Sequence, residues 1–395
     1  MGFSGRPLTS IEICAGAGGQ AVGLHRAGFR HLALLEIDKH ACETLRLNVA
    51  KHPEWKGCEV VEGDVKEVDP FKHKQLEKFG LQPGDLDLLA GGVPCPPFSL
   101  AGKQLGEDDD RDLFPRMLQL VDLLRPKAVM IENVRGILEP EHKFRPYRLR
   151  IIERLERAGY EVCGWKVLEA REFGVPQLRP RAILVAIDKK LLKDAKFEWP
   201  TATSDQDYTV AAALKKTMEA RFKAHGEVGT KAYKRWLKKA KDQGGVAPTL
   251  VGGSKKHGGA DLGPTRAKAA WAALGVNGLG VANDPDKCVP SRDLFTESGP
   301  MLTVSQAAII QGFPADWQFF GGKTARYRQV GNAFPPPVAE AVGKAIVSVL
   351  RPEEQESAAR DGREEQSALF HVPEPVGQEK APLSDRIGDL ERTGV

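Results

Sequence analysis

Over its first 188 residues the chain alternates short apolar runs with amphipathic stretches, and that rhythm admits few folds. The runs are IEICAG (11–16), HLALLEI (31–37), EVVEG (59–63), LDLLAGG (86–92), AVMIEN (128–133), EVCGWKVLE (161–169) and RAILVAI (181–187). Helical patterns such as AVGLHRAG (21–28), ACETLRLNVA (41–50) and LFPRMLQLVDLL (113–124) fall between them. Strand and helix in alternation predict an α/β fold: a mainly parallel sheet with helices on both faces. The last two runs follow one another without a clear helix, which predicts an antiparallel hairpin at one edge.

From about 189 to 300 the rhythm breaks, and a lysine-rich helical stretch (210–242) precedes the Gly-rich segment GGVAPTLVGGSKKHGGADLGP (244–264) and a short helix (265–274). Residues 189–300 carry a net charge of +8, and ten Lys/Arg lie between Lys215 and Lys241. Such a balance suits a polyanion, although a solvated basic surface gives the same count. Order returns with SQAAIIQGFP (305–314) and VAEAVGKAIVSVL (338–350). Beyond 351 the chain is acidic and poor in large apolar residues, and disorder is expected there. No apolar run approaches the roughly 18 residues of a membrane span, and MGFSGRPLTSIEI lacks the pattern of a secretory signal. A cytoplasmic location is expected. The six cysteines (14, 42, 58, 95, 163, 288) contain no CxxC pair, so neither a zinc site nor a disulfide framework is expected.

Gly16, Gly18 and Gly19 stand between the first strand and the first helix, where glycines let backbone amides approach a ligand. Glu36 ends the second strand, where a carboxylate can accept ribose hydroxyls, and Asp64 follows the third. These forty residues also satisfy the dinucleotide pattern GxGxxG/A with an acid some 20 residues on. S-adenosylmethionine, NAD and a plain tight turn all remain open on them alone.

The segment GGVPCPPFSLAGKQLGEDDDRDLF (91–114) follows the fourth strand and holds Cys95 between Pro94 and Pro96-Pro97. A lone cysteine there is more often a small core residue, but a core cysteine needs neither flanking prolines nor a Gly-, Ser- and Lys-containing loop. ENV (132–134) ends the next strand and would bring Glu132 near Cys95, since sites lie at the carboxyl ends of adjacent parallel strands. In QLRPR (177–181), Gln177, Arg179 and Arg181 alternate along a strand, either as a solvated edge or as holders of a phosphate and a base edge.

With AGAGG (15–19), EID (36–38), GDV (63–65), PCPPFS (94–99), GKQ (102–104), DDRDLF (109–114), ENV, QLRPR, LTVSQAAIIQGFP (302–314) and GNAFPPP (331–337) in this order, the sequence resembles the DNA cytosine-5 methyltransferase family. The resemblance implies an S-adenosylmethionine-dependent methyltransferase (Rossmann-like) sheet with helices on both faces and a smaller target-recognition domain. The expected division is catalytic 1–188, recognition 189–300, return to the catalytic domain 301–350, and an acidic tail 351–395. It implies Cys95 as nucleophile and Glu132, Arg179 and Arg181 around the base. Gly16, Gly18, Gly19, Glu36, Asp64 and Asn332 would contact S-adenosylmethionine, with no metal. Thr249, Lys255, Lys256 and Arg266 are candidates for reading base edges. Double-stranded DNA is the implied partner, a bacterial nucleoid substrate for a monomer, and functional pairing with a cognate restriction endonuclease is open. An RNA cytosine methyltransferase and an inactive DNA-binding relative are the alternatives. The chain departs from the family at Cys14, where Phe is frequent, at Pro96 for Gln, and at Ser305-Gln306 for Arg-Glu.

Overall fold

The computed structural model describes residues 6–94, 112–193, 195–203, 208–252 and 260–352. Seven strands form one sheet: β1 (Leu8–Ile13), β2 (Phe29–Glu36), β3 (Glu59–Glu62), β4 (Leu88–Gly92), β5 (Ala128–Val134), β6 (Tyr160–Glu169) and β7 (Pro180–Asp188). Their order is β3-β2-β1-β4-β5-β7-β6. The first five are parallel, whereas β7 runs antiparallel to β5 and to β6. The expected edge hairpin is therefore present. All seven strands lie within the first 188 residues.

The helices are α1 (Gly19–Arg26), α2 (Lys39–Lys51), α3 (Phe114–Leu124), α4 (Arg145–Arg157), α5 (Val210–Lys223), α6 (Gly226–Gln243), α7 (Thr265–Ala273), α8 (Pro290–Asp293), α9 (Val304–Gln311), α10 (Lys323–Asn332) and α11 (Pro336–Leu350). β1 is buried along its whole length, because helices cover both faces of a central parallel strand. Ile11 and Ile13 join a core with Met117, Leu120 and Val121 of α3, while Leu8 joins one with Leu24 of α1 and Val342 and Ile346 of α11. Ser10 and His31 lie beneath α1: Ser10 Oγ is 2.8 Å from His31 Nδ1, and Nε2 is 2.8 Å from the Ala21 carbonyl. A carbonyl only accepts, so Nε2 carries the proton and Nδ1 accepts from Ser10.

Two boundaries differ from the sequence reading in ways that matter. β1 ends at Ile13 rather than at residue 16, because Cys14 and Gly16 adopt positive φ (53° and 55°) and turn the chain out of the sheet. The lysine-rich stretch 210–242 is two helices rather than one. Gly226 turns with φ 61°, and a Cβ at Gly229 would lie 1.8 Å from the Phe222 carbonyl oxygen. That close approach lets Met218 and Phe222 of α5 share a core with Tyr233 and Trp236 of α6.

Segment 208–252 is tied to the sheet and to the C-terminal helices at defined points. Arg221 of α5 donates to the Met301 carbonyl and to Gln306 Oε1, and Gln177 Oε1 accepts from the Leu250 amide. Gln306 also closes a capping box with Thr303 at the start of α9, and its Nε2 donates to Thr217. An amide serves all three contacts, since it both accepts from Arg221 and donates to Thr217; a glutamate would lose the donor.

Candidate active site

The carboxyl ends of β1, β2, β4 and β5 open into a cavity of about 590 Å³. Five of the expected cofactor residues line it: Gly16, Gly19, Glu36, Asp64 and Asn332. The sixth, Gly18, is not among the lining residues, although Ala17 and Gly19 on either side of it are. It is the left-handed N-cap of α1, and a Cβ on it would sit 2.8 Å from the Trp317 ring and 2.9 Å from Leu45. Its missing side chain makes room for packing rather than for a ligand.

Glu36 fixes the glycine loop to the end of β2. Its Oε2 accepts from the Gly16 amide at 2.7 Å, and Oε1 from the Ile37 and Asp38 amides at 2.9 and 2.8 Å. A carboxylate has about four acceptor sites, so three are taken by backbone and one remains for a ligand hydroxyl. Burial raises its pKa and the three amides oppose that shift. Asp64 Oδ1 accepts from the Lys66 amide. Asn332 ends α10, and its Oδ1 abuts Gly252 so closely that a Cβ there would lie 2.1 Å away.

At the other end of the same cavity stands Glu132, opposite Gly92 in the β4–β5 register. Gly92 leaves space for it, since a Cβ there would lie 3.2 Å from Glu132 Oε2. Arg181, on β7, places Nε 2.8 Å from Glu132 Oε1, and each side chain is 13% exposed. Burial raises the Glu132 pKa, and Arg181 and Arg179 offset only part of the rise. Arg181 Nη1 donates to the Pro180 carbonyl, which leaves Nη2 without a partner among the described residues.

Arg179 feels the charges of Arg181 and Glu132, but its hydrogen bonds go elsewhere. It is 1% exposed, its Nη1 donates to the Leu250 carbonyl at 2.6 Å, and its Nη2 donates to the Gly331 carbonyl at 2.8 Å. Sequence reading grouped it with the catalytic residues; the structure spends its two terminal nitrogens on backbone, joining 249–252 to the GNAFPPP segment. Thr249 likewise gives its hydroxyl to the Leu178 carbonyl, at 2.5 Å, while Arg266 is exposed in the first turn of α7. Cys95, Lys255 and Lys256 lie outside the described residues, as does the acidic tail. Pro94, which directly precedes Cys95 in the chain, lines the cavity together with Glu132.

A family model for C-5 cytosine-specific DNA methylases matches residues 8–348, from the first strand to the last helix. The chain belongs to this family. It is a DNA cytosine-5-methyltransferase, built on a methyltransferase sheet of the Rossmann-like kind. The type II methyltransferase M.NaeI of Lentzea aerocolonigenes is 50% identical over 347 residues, covering 88% of this chain and 76% of that protein. M.NgoMIV of Neisseria gonorrhoeae is 47% identical over 349 residues, covering 88% and 99%. Among solved structures, a protein described as an E. coli prophage DNA modification methyltransferase shares the fold with TM-score 0.57 at 22% identity, covering 87% of this chain and 99% of its own.

Three residues of the methyltransferase's site escaped the sequence reading. Asn133, inside ENV, donates from Nδ2 to the Val93 carbonyl at 2.9 Å and accepts from the Val134 amide at 2.8 Å. It thereby pins the end of β4 two residues before Cys95. Its place between Glu132 and a strand end was the only signal. Glu12, the penultimate residue of β1, and Gln20, in the first turn of α1, also line the cavity, and the sequence reading passed over both.

Proposed function

We propose that Cys95 is the nucleophile, Glu132 the acid at cytosine N3, and Arg181 the donor to O2, acting on a cytosine rotated out of duplex DNA. Cytosine C5 is a poor nucleophile until a thiolate adds to C6, which leaves an enamine and pushes charge onto N3 and O2. A carboxyl that holds its proton near neutral pH meets the charge at N3, and burial of Glu132 favours that protonated form. Arg181, with Nη2 uncommitted, suits the charge at O2. Once C5 has received the methyl group, its proton leaves to a base such as water and the thiolate is expelled, restoring the ring of the methylated cytosine. A stacked base is out of reach of these groups, so extrusion costs a few kcal/mol first. The observation that carries this reading is one cavity lined at one end by Glu36 and Asp64 and at the other by Pro94 and Glu132.

S-adenosylmethionine is the proposed methyl donor. The cavity volume falls in the range of small-molecule sites, and Glu36 retains one acceptor position for a ribose hydroxyl. Gly16, Gly19, Asp64 and Asn332 complete the proposed contacts. Arg179 acts as a positioning residue, holding the segment after Leu250 against Gly331. Residues 189–300 form the proposed target-recognition segment, with Thr249, Lys255, Lys256 and Arg266 as base-edge candidates. The names of the type II relatives support a role beside a cognate restriction endonuclease; a monomer in the bacterial cytoplasm completes the proposal.

Duplex DNA carrying 5-fluorocytosine should trap the enzyme covalently, because fluorine blocks the final elimination, while Cys95→Ala should form no adduct. Absence of an adduct with the wild type would remove Cys95 from the reaction. Bisulfite sequencing of host DNA, with tRNA assayed in parallel, separates DNA from RNA as substrate.

A further inference from the structure

The glycine loop between β1 and α1 holds a shape that its own residues do not favour. Cys14, Gly16 and Gly18 all have positive φ (53°, 55° and 85°), so three of the five residues 14–18 are left-handed. Cys14 carries a side chain that opposes this conformation, and the glycines leave the loop many alternatives. Such a shape persists only where the surroundings fix it. Glu36 does so from β2, through the Gly16 amide.

A second support comes from a distant part of the chain. The indole N–H of Trp317 donates to the Ala17 carbonyl at 3.0 Å, and its ring fills the space that Gly18 leaves open. Ala17 lines the cavity and Trp317 does not, so the bond acts on the loop from outside the cavity. Trp317 is buried, stacked on His52 and Phe313 with ring centroids 6.1 and 6.3 Å away. Its segment, residues 314–320 between α9 and α10, is fastened in turn to α2. Asn48 Oδ1 accepts from the Gln318 amide at 3.0 Å, and Nδ2 donates to the Gln318 carbonyl at 2.8 Å. Thr44 Oγ1 accepts from the Phe320 amide at 2.8 Å. Asn48 thus grips both backbone poles of the residue after Trp317, as a strand partner would. A phenyl ring would fill much of the same core; only the N–H reaches the loop.

We propose that Trp317 is a positioning residue for the methyl donor, holding residues 14–18 in their ligand-ready shape before the ligand arrives. The proposal rests on the reading that the cavity takes S-adenosylmethionine. A loop already ordered loses little entropy on binding, so affinity depends on a residue that never touches the ligand.

Trp317→Phe keeps an aromatic ring and removes the N–H. In calorimetry of the full-length protein it should bind S-adenosylmethionine roughly three- to tenfold more weakly. In steady-state methylation the cofactor KM should rise by a similar factor while kcat stays within about twofold. Without ligand, backbone amides of residues 14–19 should exchange with deuterium faster than in the wild type, and saturating S-adenosylmethionine should restore their protection. Trp55→Phe is the control for packing. Trp55 lies against Trp317 at 5.6 Å and against His25 and His31, so this variant should lose stability and keep wild-type affinity. Unchanged affinity or exchange in Trp317→Phe, a fall in kcat with KM unchanged, or an equal loss of affinity in Trp55→Phe overturns the proposal. Should Trp317→Phe fail to fold, Asn48→Leu releases Gln318 and leaves Trp317 in place. It should show the same faster exchange and weaker binding, and wild-type behaviour there overturns the proposal. A wild type that binds no S-adenosylmethionine overturns the cofactor reading, whereas ligand-free exchange of 14–19 still tests the hold of Trp317 on the loop.

Discussion

Glu132 lies under opposed influences: burial pushes its carboxyl toward the neutral form, while Arg181 at 2.8 Å pulls it toward the charged one. Burial prevails, so its pKa is raised. An acid so placed donates to N3 only while it holds its proton. The single-turnover methylation rate should therefore fall as pH rises through that elevated pKa. Glu132→Gln keeps the shape without the acid; it should lower the rate by roughly two orders of magnitude and flatten that limb of the pH profile. A mutant with an unchanged profile would assign the titration to another group. Asn133→Ala should slow single-turnover transfer and leave cofactor affinity, measured by calorimetry, at the wild-type value, because its two bonds hold the approach to Cys95 rather than the cavity floor. Glu132 and Arg181 were legible in the sequence since each sits at a strand end inside a short distinctive motif. Glu12 and Gln20 were not, because ordinary positions become polar cavity walls only once β1 and α1 are stacked.

At the scale of elements, the contact between α1 and α11 depends on a missing side chain. Gly23 lies in the interior of α1, where replacement by Ala favours a helix by about 1 kcal/mol. Here a Cβ would stand 2.3 Å from the Pro336 carbonyl oxygen and 2.5 Å from Ala339 Cβ. Backbone cannot yield as a flexible side chain does, so the clash wins. Gly23→Ala should destabilise by roughly 1–3 kcal/mol in denaturant unfolding, contrary to helix propensity. His31 couples the same helix to β1 and β2, and burial drives its pKa down to about 4. The unfolded chain binds this proton more readily, so stability is full above pH ~6.5 and declines as pH falls from there toward about 4. His31→Gln should remove that part of the acid sensitivity, measured as the pH dependence of the denaturation midpoint. The seven strands and several helices were legible from periodicity, whereas α4 and α10 carried no pattern that was read as a helix. The break between α5 and α6 was not legible either, because Gly226 and Gly229 look like tolerated helix glycines until the two helices are folded against each other.

Across the whole molecule, basic surface and sheet are joined through a few buried polar residues. The exposed side of α6 carries Lys231, Lys234, Arg235, Lys238, Lys239 and Lys241, opposite the buried Ala232, Tyr233, Trp236 and Ala240. Lys238 pairs with Asp242 within the helix, whereas Lys239 and Lys241 face no acid among the described residues. If these two meet phosphates, neutralising both should reduce the log–log salt slope of DNA binding by about 0.9 each, and neutralising Lys238 by less. Changing Arg266 should instead alter which sites are methylated, at about 1–3 kcal/mol of lost discrimination, if it reaches a base edge. Equal weakening on every sequence would make it a backbone contact. The sequence by itself determined the parallel sheet with its antiparallel edge, the family, and the acids at the strand ends, because periodicity and local motifs are written along the chain. The tertiary structure alone decided that Arg179 joins two backbone segments while Arg181 meets Glu132, that Gly18 serves packing, and that Glu12 and Gln20 face one cavity. Each of these depends on which groups from distant parts of the chain come within hydrogen-bond reach, and no one-dimensional pattern encodes that distance.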